Sequence, residues 1–336
     1  MRISLIIPCK NEERYIVRCL QSVVDAGITI PGLSVWVCDG NSTDQTVKLV
    51  ESFTQKYPFI KLLNNTNETT PHALNLGLKA AAFEVAIILG AHAEIDKHFI
   101  EENIATLFSD ASIGCAGGII ENVHENHTAK IISMAMSSSF GVGNAHFRTA
   151  GKAGFVDTVA FGSYKNVVFE KCGYFDESLT RNQDDEFSHR IIKNGFKIYL
   201  NPAIRSKYYV RGSYNKLRKQ YFQYGYWKVY VNRKHRTVTT LRQLVPAAMI
   251  AGMLLLMGTT FFSRKFALLI LPCIILYLGI GYVSARKKTK ALTEQLQMIR
   301  VFMILHFSYG LGYWKGILDF VISGRQPDRK QTSISR

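Results

Sequence analysis

Along the first 200 residues, short apolar runs are each closed by a polar turn and followed by a stretch with helical periodicity. Residues 3–7 read as a first strand, ended by Pro8-Cys9-Lys10-Asn11-Glu12-Glu13-Arg14 and followed by a helix through Ile16, Leu20 and Val23. Residues 33–38 form a second strand, whose helix runs to about Tyr57, and residues 59–63 a short third strand. A helix over 72–82, a fully apolar strand over 85–89, a helix over 99–108 and a strand over 114–120 continue the series. Residues 124–155 are rich in Ser, Gly, Ala and Met without clear periodicity, and read as an ordered but irregular connection or an acceptor-side loop. Structure resumes at 156–162 and 167–172, and a helix over 184–193 stops at Gly195. Near-continuous apolar strands alternating with helices predict an α/β fold with a mostly parallel sheet covered on both faces.

Beyond residue 240 the pattern changes. Residues 244–262 and 266–284 are two uncharged stretches of 19 residues, each close to the roughly 20 apolar residues that span a bilayer. Ser263-Arg264-Lys265 between them predicts a helical hairpin. Residues 301–323 are a third candidate, made costly by His306, Lys315 and Asp319. With the N-terminal domain in the cytoplasm, the hairpin returns the chain to that side at Arg286-Lys287-Lys288, as the positive-inside rule prefers. A full third span would carry Arg325, Arg329, Lys330 and Arg336 across, so a re-entrant or surface-lying third segment is favoured. The expected organisation is a cytoplasmic domain over 1–230 and an interfacial and transmembrane helical region over 231–336, placing the protein in the cell inner membrane as a multi-pass chain.

Charge sharpens this division. The 336 residues carry a formal net charge of +16. Residues 1–200 hold 18 Lys/Arg against 22 Asp/Glu, whereas 201–336 hold 23 against only Glu294, Asp319 and Asp328. The basic part is also the part with long apolar runs, so its anionic partner is a phospholipid surface. Nucleic acid is disfavoured, because the cations flank apolar spans instead of lining one face. The six cysteines are widely spaced without a C-x-x-C pair, which suits reduced thiols better than disulfides or a zinc site. Residues 3–7 are too short for the apolar core of a signal peptide, which fits a soluble portion that stays in the cytoplasm.

Four constellations carry candidate chemistry. The first is Val37-Cys38-Asp39-Gly40-Asn41-Ser42-Thr43-Asp44, an apolar run that ends in Asp-Gly. Ligands of open α/β sheets sit beyond the carboxyl ends of such strands, where Asp39 could accept hydrogen bonds from a nucleoside. Gly40 would allow a sharp turn, and Ser42, Thr43 or Asp44 a helix cap. The second is Arg181-Asn182-Gln183-Asp184-Asp185-Glu186-Phe187. Acids at a helix start can be plain capping, or one of them can be a general base held ionised by the helix dipole. The third, Gly90-Ala91-His92, ends another apolar strand at the same sheet edge. The fourth, Gln220 to Lys228, mixes aromatic and basic residues as an interfacial helix does, and Trp227 or a Tyr could stack on a sugar.

Together, Pro8 with Asn11-Glu12, the Asp39 to Asp44 turn, the strand end at 90–92 and Gln183-Asp184-Asp185-Glu186-Phe187 resemble family 2 glycosyltransferases of the GT-A fold. The likeness is greatest to the bacterial succinoglycan (exopolysaccharide) subgroup, and it covers about residues 1–230. The resemblance implies a membrane-bound inverting transferase that moves a sugar from a nucleotide-sugar, such as a UDP-sugar, to a lipid-linked saccharide. It places Pro8, Glu12, Asp39, Gly90 and Ala91 at the donor, Asp184 as catalytic base, and Asp185, Gln223 and Trp227 at the acceptor. Arg181 or Arg211 would stabilise the departing diphosphate. The family's metal-binding D-x-D reads Gly90-Ala91-His92 here, leaving His92 as the metal ligand; imidazole suits Mn²⁺ better than Mg²⁺. The family's Q-x-x-R-W has Tyr226 in place of its Arg, which weakens a processive reading. The rival expectation is a non-catalytic nucleotide-sugar-binding subunit of a polysaccharide assembly complex, supported by that lost D-x-D.

Overall fold

The computed structural model describes residues 1–143, 152–210, 212–239, 241–260 and 267–327. The chain divides into two compact units, one of residues 1–122 with 146–209 and one of residues 123–145 with 210–336. The boundary expected at 230 thus falls at 209/210, and the segment 123–145 groups with the C-terminal helices.

The first unit begins with β1 (Ile3–Cys9), α1 (Ile16–Gly27), β2 (Leu33–Asp39), α2 (Thr46–Lys56) and β3 (Ile60–Asn64). It continues with α3 (Thr70–Ala80), β4 (Val85–Ile88), β5 (Ala93–Ile95), α4 (Phe99–Phe108) and β6 (Ile113–Val123). Among the described residues, with β8 (Ala160–Lys165) and β9 (Lys197–Tyr209) from later in the chain, the sheet has the order β3-β2-β1-β4-β8-β6-β9-β5. Its second half is completed by β7 (Gly154–Val156). The strands β3-β2-β1-β4 are parallel, as their continuous apolar runs predict. Beyond β4 the sheet becomes mixed, because β8 joins both β4 and β6 antiparallel. The pleat of β1 sends Leu5 and Ile7 into one core with α1 and α4, and Ile6 into another with α3. Two further helices, α7 (Asn166–Cys172) and α8 (Gln183–Lys193), seal that second face through Val168, Phe187 and Ile191.

The second unit is helical. Between β6 and β7 lie α5 (His127–Met136) and α6 (Ser139–Val142), where an irregular connection was expected. The Asn126 side chain caps α5 by accepting from the Ala129 amide at 2.8 Å. The helix is buried on several sides, through Ala129, Ile131, Ile132 and Ala135, so no single apolar stripe marks it in the sequence. The helices α9 (Tyr214–His235), α10 (Val245–Thr259), α11 (Ala267–Arg286) and α12 (Leu292–Gly316) follow, and α12 runs on into a wider turn over Ile317–Ile322. The last helix therefore starts well before residue 301. It lies directly against α9: a Cβ on Gly225 would run into the Tyr309 carbonyl, and one on Gly312 into that of Phe222. The charges expected to be costly are paired, with Lys315 Nζ 2.7 Å and Tyr226 Oη 3.0 Å from the buried Asp319 carboxylate. Among the described residues two helices are long and apolar enough to cross a membrane, Leu241–Thr259 and Leu268–Arg286. Both expose large side chains, including Leu254, Leu255, Leu268 and Leu276.

Candidate active site

Parallel pairing aligns the carboxyl ends of three strands. Cys9 stands opposite Asp39, and Asp39 opposite Asn64. The loops that follow β1 and β2 are laced together by hydrogen bonds: Asn11 N to Ser42 Oγ at 2.8 Å, Thr43 N to Asn11 Oδ1 at 2.8 Å, and Glu12 N to Thr46 Oγ1 at 2.8 Å. The left-handed residues of these turns are Asn11 (φ 53°) and Asn41 (φ 55°), which tolerate that region better than most side chains. The sharp turn is therefore made at Asn41; Gly40 instead lies close to the Glu68 backbone, where a Cβ would sit 3.3 Å from its carbonyl oxygen. Lys10 is ion-paired to Glu68, which also accepts from Asn41 Nδ2 at 3.2 Å.

Asp39 is 5% exposed and held on one edge. Its Oδ2 accepts from the Ser42 amide at 2.9 Å; its Oδ1 accepts from Ser42 Oγ at 2.5 Å and from Cys9 Sγ at 3.6 Å. Burial and the adjacent Asp39 carboxylate push the Cys9 thiol well up, so it remains a donor. A carboxylate oxygen has two lone pairs, so Oδ2 retains room for one more donor. An open depression of about 280 Å³ lies on this edge, lined by Asp39, Asn41, Ser42, Val47, Leu62 and Asn64 among others. None of the expected residues is the helix cap, which falls at Gln45; Asp44 just before it accepts from the Thr46 amide at 2.9 Å. Partial burial raises the Asp44 pKa, but hydrogen bonds from Thr46 and the Glu13 amide outweigh this and hold it below the ordinary value.

The strand end after β4 reaches the same edge. The Leu89 amide bonds to the Ile6 carbonyl at 3.0 Å, and the chain turns at Gly90, whose carbonyl accepts from the Ala93 amide at 3.0 Å. Ala91 is buried in the core, 1% exposed. His92 points the other way, with Nδ1 3.5 Å from Glu12 Oε1. Pro8, half-buried, is on β1 opposite Cys38. The carboxyl end of β9 clamps this strand end. The Tyr208 ring meets the His92 imidazole edge-on with centroids 4.9 Å apart, and the Tyr209 hydroxyl donates to Glu94. Arg18 Nη1 donates to the same hydroxyl at 3.2 Å. Among the described residues no group of three His, Cys, Asp or Glu side chains is arranged to hold a metal ion. His92 and Glu12 supply two donors of a kind that divalent transition metals accept.

The three consecutive acids of α8 have different environments. Asp184 is exposed, Asp185 half-buried and Glu186 fully buried. Glu186 takes a forked pair from Arg190, Nε to Oε1 at 2.9 Å and Nη2 to Oε2 at 2.7 Å. The same guanidinium donates to the Tyr174 carbonyl at 2.8 Å and ties the preceding loop to the helix. Phe187 anchors α8 against Phe175 and Phe169. Asn75 on α3 fastens that loop from the other side, accepting from the Phe175 amide at 3.0 Å and donating to Glu177 at 2.8 Å. Burial drives the Tyr164 phenol far up, with Cys115 and Asp184 adding to the shift. Arg181 is half-buried just ahead of α8, and Arg211 lies outside the described residues.

Gln223 and Trp227 belong to α9, in the second unit. Trp227 is 1% exposed and packs against Tyr226, Tyr230 and Phe320. With its ring enclosed in this cluster, it is a core residue, which corrects the expectation that it stacks on an acceptor sugar. Gln223 is buried on the same helix. The Glu186–Arg190 pair, Asn75, Tyr208 and Tyr209 were not singled out from the sequence. The (i, i+4) spacing of Glu186 and Arg190 was the one legible signal among them.

An α/β sheet with polar residues gathered at the carboxyl edge of its parallel strands, followed by an acidic helix start, is an architecture of the GT-A type. The family model for glycosyl transferase family 2 matches residues 4–172. A dolichyl N-acetyl-α-D-glucosaminyl phosphate 3-β-D-2,3-diacetamido-2,3-dideoxy-β-D-glucuronosyltransferase of Methanococcus voltae is 35% identical over 239 residues, 69% of this chain and 74% of the relative. The succinoglycan biosynthesis protein ExoA of Rhizobium meliloti is 25% identical over 324 residues, 94% of this chain and 95% of that protein. The mannosyltransferase PcManGT of Pyrobaculum calidifontis, solved with GDP-Man and Mn²⁺, superposes with a TM-score of 0.67 at 16% identity, over 94% of this chain and 87% of that one. The chain belongs to glycosyl transferase family 2 and is a glycosyltransferase with a GT-A fold.

Proposed function

We propose that the protein is a membrane-bound inverting glycosyltransferase that moves a sugar from a nucleotide-sugar, a UDP-sugar in this reading, to a lipid-linked saccharide in cell-surface glycan synthesis. The observation that carries it is the start of α8, where Asp184 is exposed while Glu186 and Arg190 lock the helix behind it. Asp184 takes the proton of an acceptor hydroxyl, whose oxygen attacks the anomeric carbon as the bond to the diphosphate oxygen breaks and the nucleoside diphosphate leaves. The amides at the start of α8 keep that carboxylate ionised. Asp39 accepts from the nucleobase imino group with the capacity left on Oδ2, and Asp185 orients the acceptor. Glu12 and His92 would hold a divalent cation against the diphosphate, and the ion when bound supplies neutralisation of the leaving charge. The lipid-linked acceptor is supported by the 35% identical relative, whose name specifies a dolichyl phosphate sugar, and by the two apolar helices. A multi-pass place in the inner membrane, with the catalytic unit in the cytoplasm and the last helix re-entrant or surface-lying, is supported by the basic residues 286–288.

The test is transfer by the purified full chain to a lipid-linked acceptor fraction, from a panel of UDP- and GDP-sugars, with and without Mn²⁺. Label moving into the lipid fraction from one donor is expected. Absence of both transfer and donor hydrolysis across the panel would reduce the protein to a binding subunit.

A further inference from the structure

Phe161 has φ +49°, a left-handed backbone that is a true outlier for a bulky aromatic residue. It sits in a β-bulge. Ala116 pairs with Ser163 and Gly118 with Ala160, so Phe161 and Gly162 together stand opposite Gly117. Bulges re-aim side chains and gather beside active sites, and their left-handed position is normally given to glycine. Here Gly162 is the very next residue, yet the costly conformation falls on Phe161. Strain of this kind persists where the surroundings over-determine it.

The re-aimed ring arrives at Gly90. A Cβ built on Gly90 would lie 3.1 Å from Phe161 Cε1 and 3.6 Å from His92 Cε1, so the two rings flank one missing side chain. His92 is bounded on further sides by the Tyr208 ring and by Glu12. We propose that Phe161 is a positioning residue of the donor site: its bulge-delivered ring occupies the space above Gly90 and holds the His92 imidazole in the orientation that turns Nδ1 toward Glu12. This rests on the reading that His92 and Glu12 face the diphosphate and its cation. Groups that orient a metal ligand typically carry 10- to 100-fold in metal affinity.

The experiment is Mn²⁺ binding to the full chain in the presence of UDP, followed by electron paramagnetic resonance, alongside UDP binding without metal and thermal unfolding. Phe161→Gly accepts the left-handed backbone and removes only the ring; about 10- to 100-fold weaker Mn²⁺ binding is expected, with metal-free UDP binding unchanged. Gly90→Ala, which leaves the Phe161 backbone untouched, should weaken Mn²⁺ binding alone but add nothing in the Phe161→Gly background. Wild-type Mn²⁺ binding by Phe161→Gly, with binding lost in His92→Ala, would overturn the proposal and leave the donor-site reading standing. Wild-type Mn²⁺ binding by His92→Ala would overturn that reading itself, and the proposal with it.

Discussion

The turn after β2 and the start of α8 are both rich in acids, yet they use them in opposite ways. Around Asp39 and Asp44 the carboxylates are spent on the protein itself, each accepting backbone and side-chain donors from its own turn and from the β1 loop. At α8 the tightest such bonding is at Glu186, whose forked pair with Arg190 fixes the helix, while Asp184 two positions earlier is exposed and accepts from the Asp185 amide at 2.9 Å. At about 100° per residue, the Asp184 and Glu186 side chains leave the helix on nearly opposite sides. A rigid shelf that recognises a constant feature of the donor has every reason to be over-bonded. A base that must meet a hydroxyl and release its proton has to keep an open side, and a buried neighbour supplies the rigidity it lacks.

Breaking the Glu186–Arg190 lock should have the largest effect on the fold. Glu186→Ala leaves a mostly buried guanidinium without its carboxylate and is expected to cost about 3–5 kcal/mol of stability, measured by denaturant unfolding, and to lower transfer with it. On the shelf, Asp39→Asn turns one carboxylate oxygen into a donor. Hydrogen bonds to charged groups carry roughly 1.5–3 kcal/mol, so the donor KM should rise about 10- to 100-fold with a much smaller change in kcat. A larger change in kcat than in KM would mean that Asp39 is not a recognition group. Asp44→Ala should cost about 1 kcal/mol through the lost hydrogen bonds from the Thr46 amide and hydroxyl. Because the folded pKa of Asp44 lies below its ordinary 3.8, its contribution is complete above that value and is lost as the pH falls through the folded pKa. The melting difference between wild type and Asp44→Ala should therefore be full at neutral pH and shrink below about pH 3.8. A difference independent of pH would show that Asp44 does not act through its charge.

Much of this was legible in the chain because burial writes a pattern. The strands β1, β2 and β4 are enclosed on both faces, so their runs are mostly apolar, and Asp39 and His92 were visible as polar residues closing such runs. The long β9 was missed because alternate positions carry Lys197, Arg205 and Lys207 at the surface, breaking any apolar run. The three-residue β5 is too short for any periodicity to show. Trp227 was misread because an aromatic-basic helix at a membrane surface and one packed through its glycines against α12 have similar compositions. Phe161, Tyr208 and Asn75 stayed hidden because their meaning comes from partners far along the chain. A bulge that turns one ring toward Gly90 leaves no trace in spacing.

The most direct test compares wild type with Asp184→Asn in one preparation, following transfer from the accepted nucleotide-sugar and reading the new linkage by NMR. Asparagine is nearly the same size but cannot take the proton. The account predicts an inverted anomeric linkage from the wild type and a rate about 10²- to 10⁴-fold lower from the variant, with donor KM and melting temperature unchanged. Near-wild-type turnover by Asp184→Asn, or a retained configuration in the product, would contradict it.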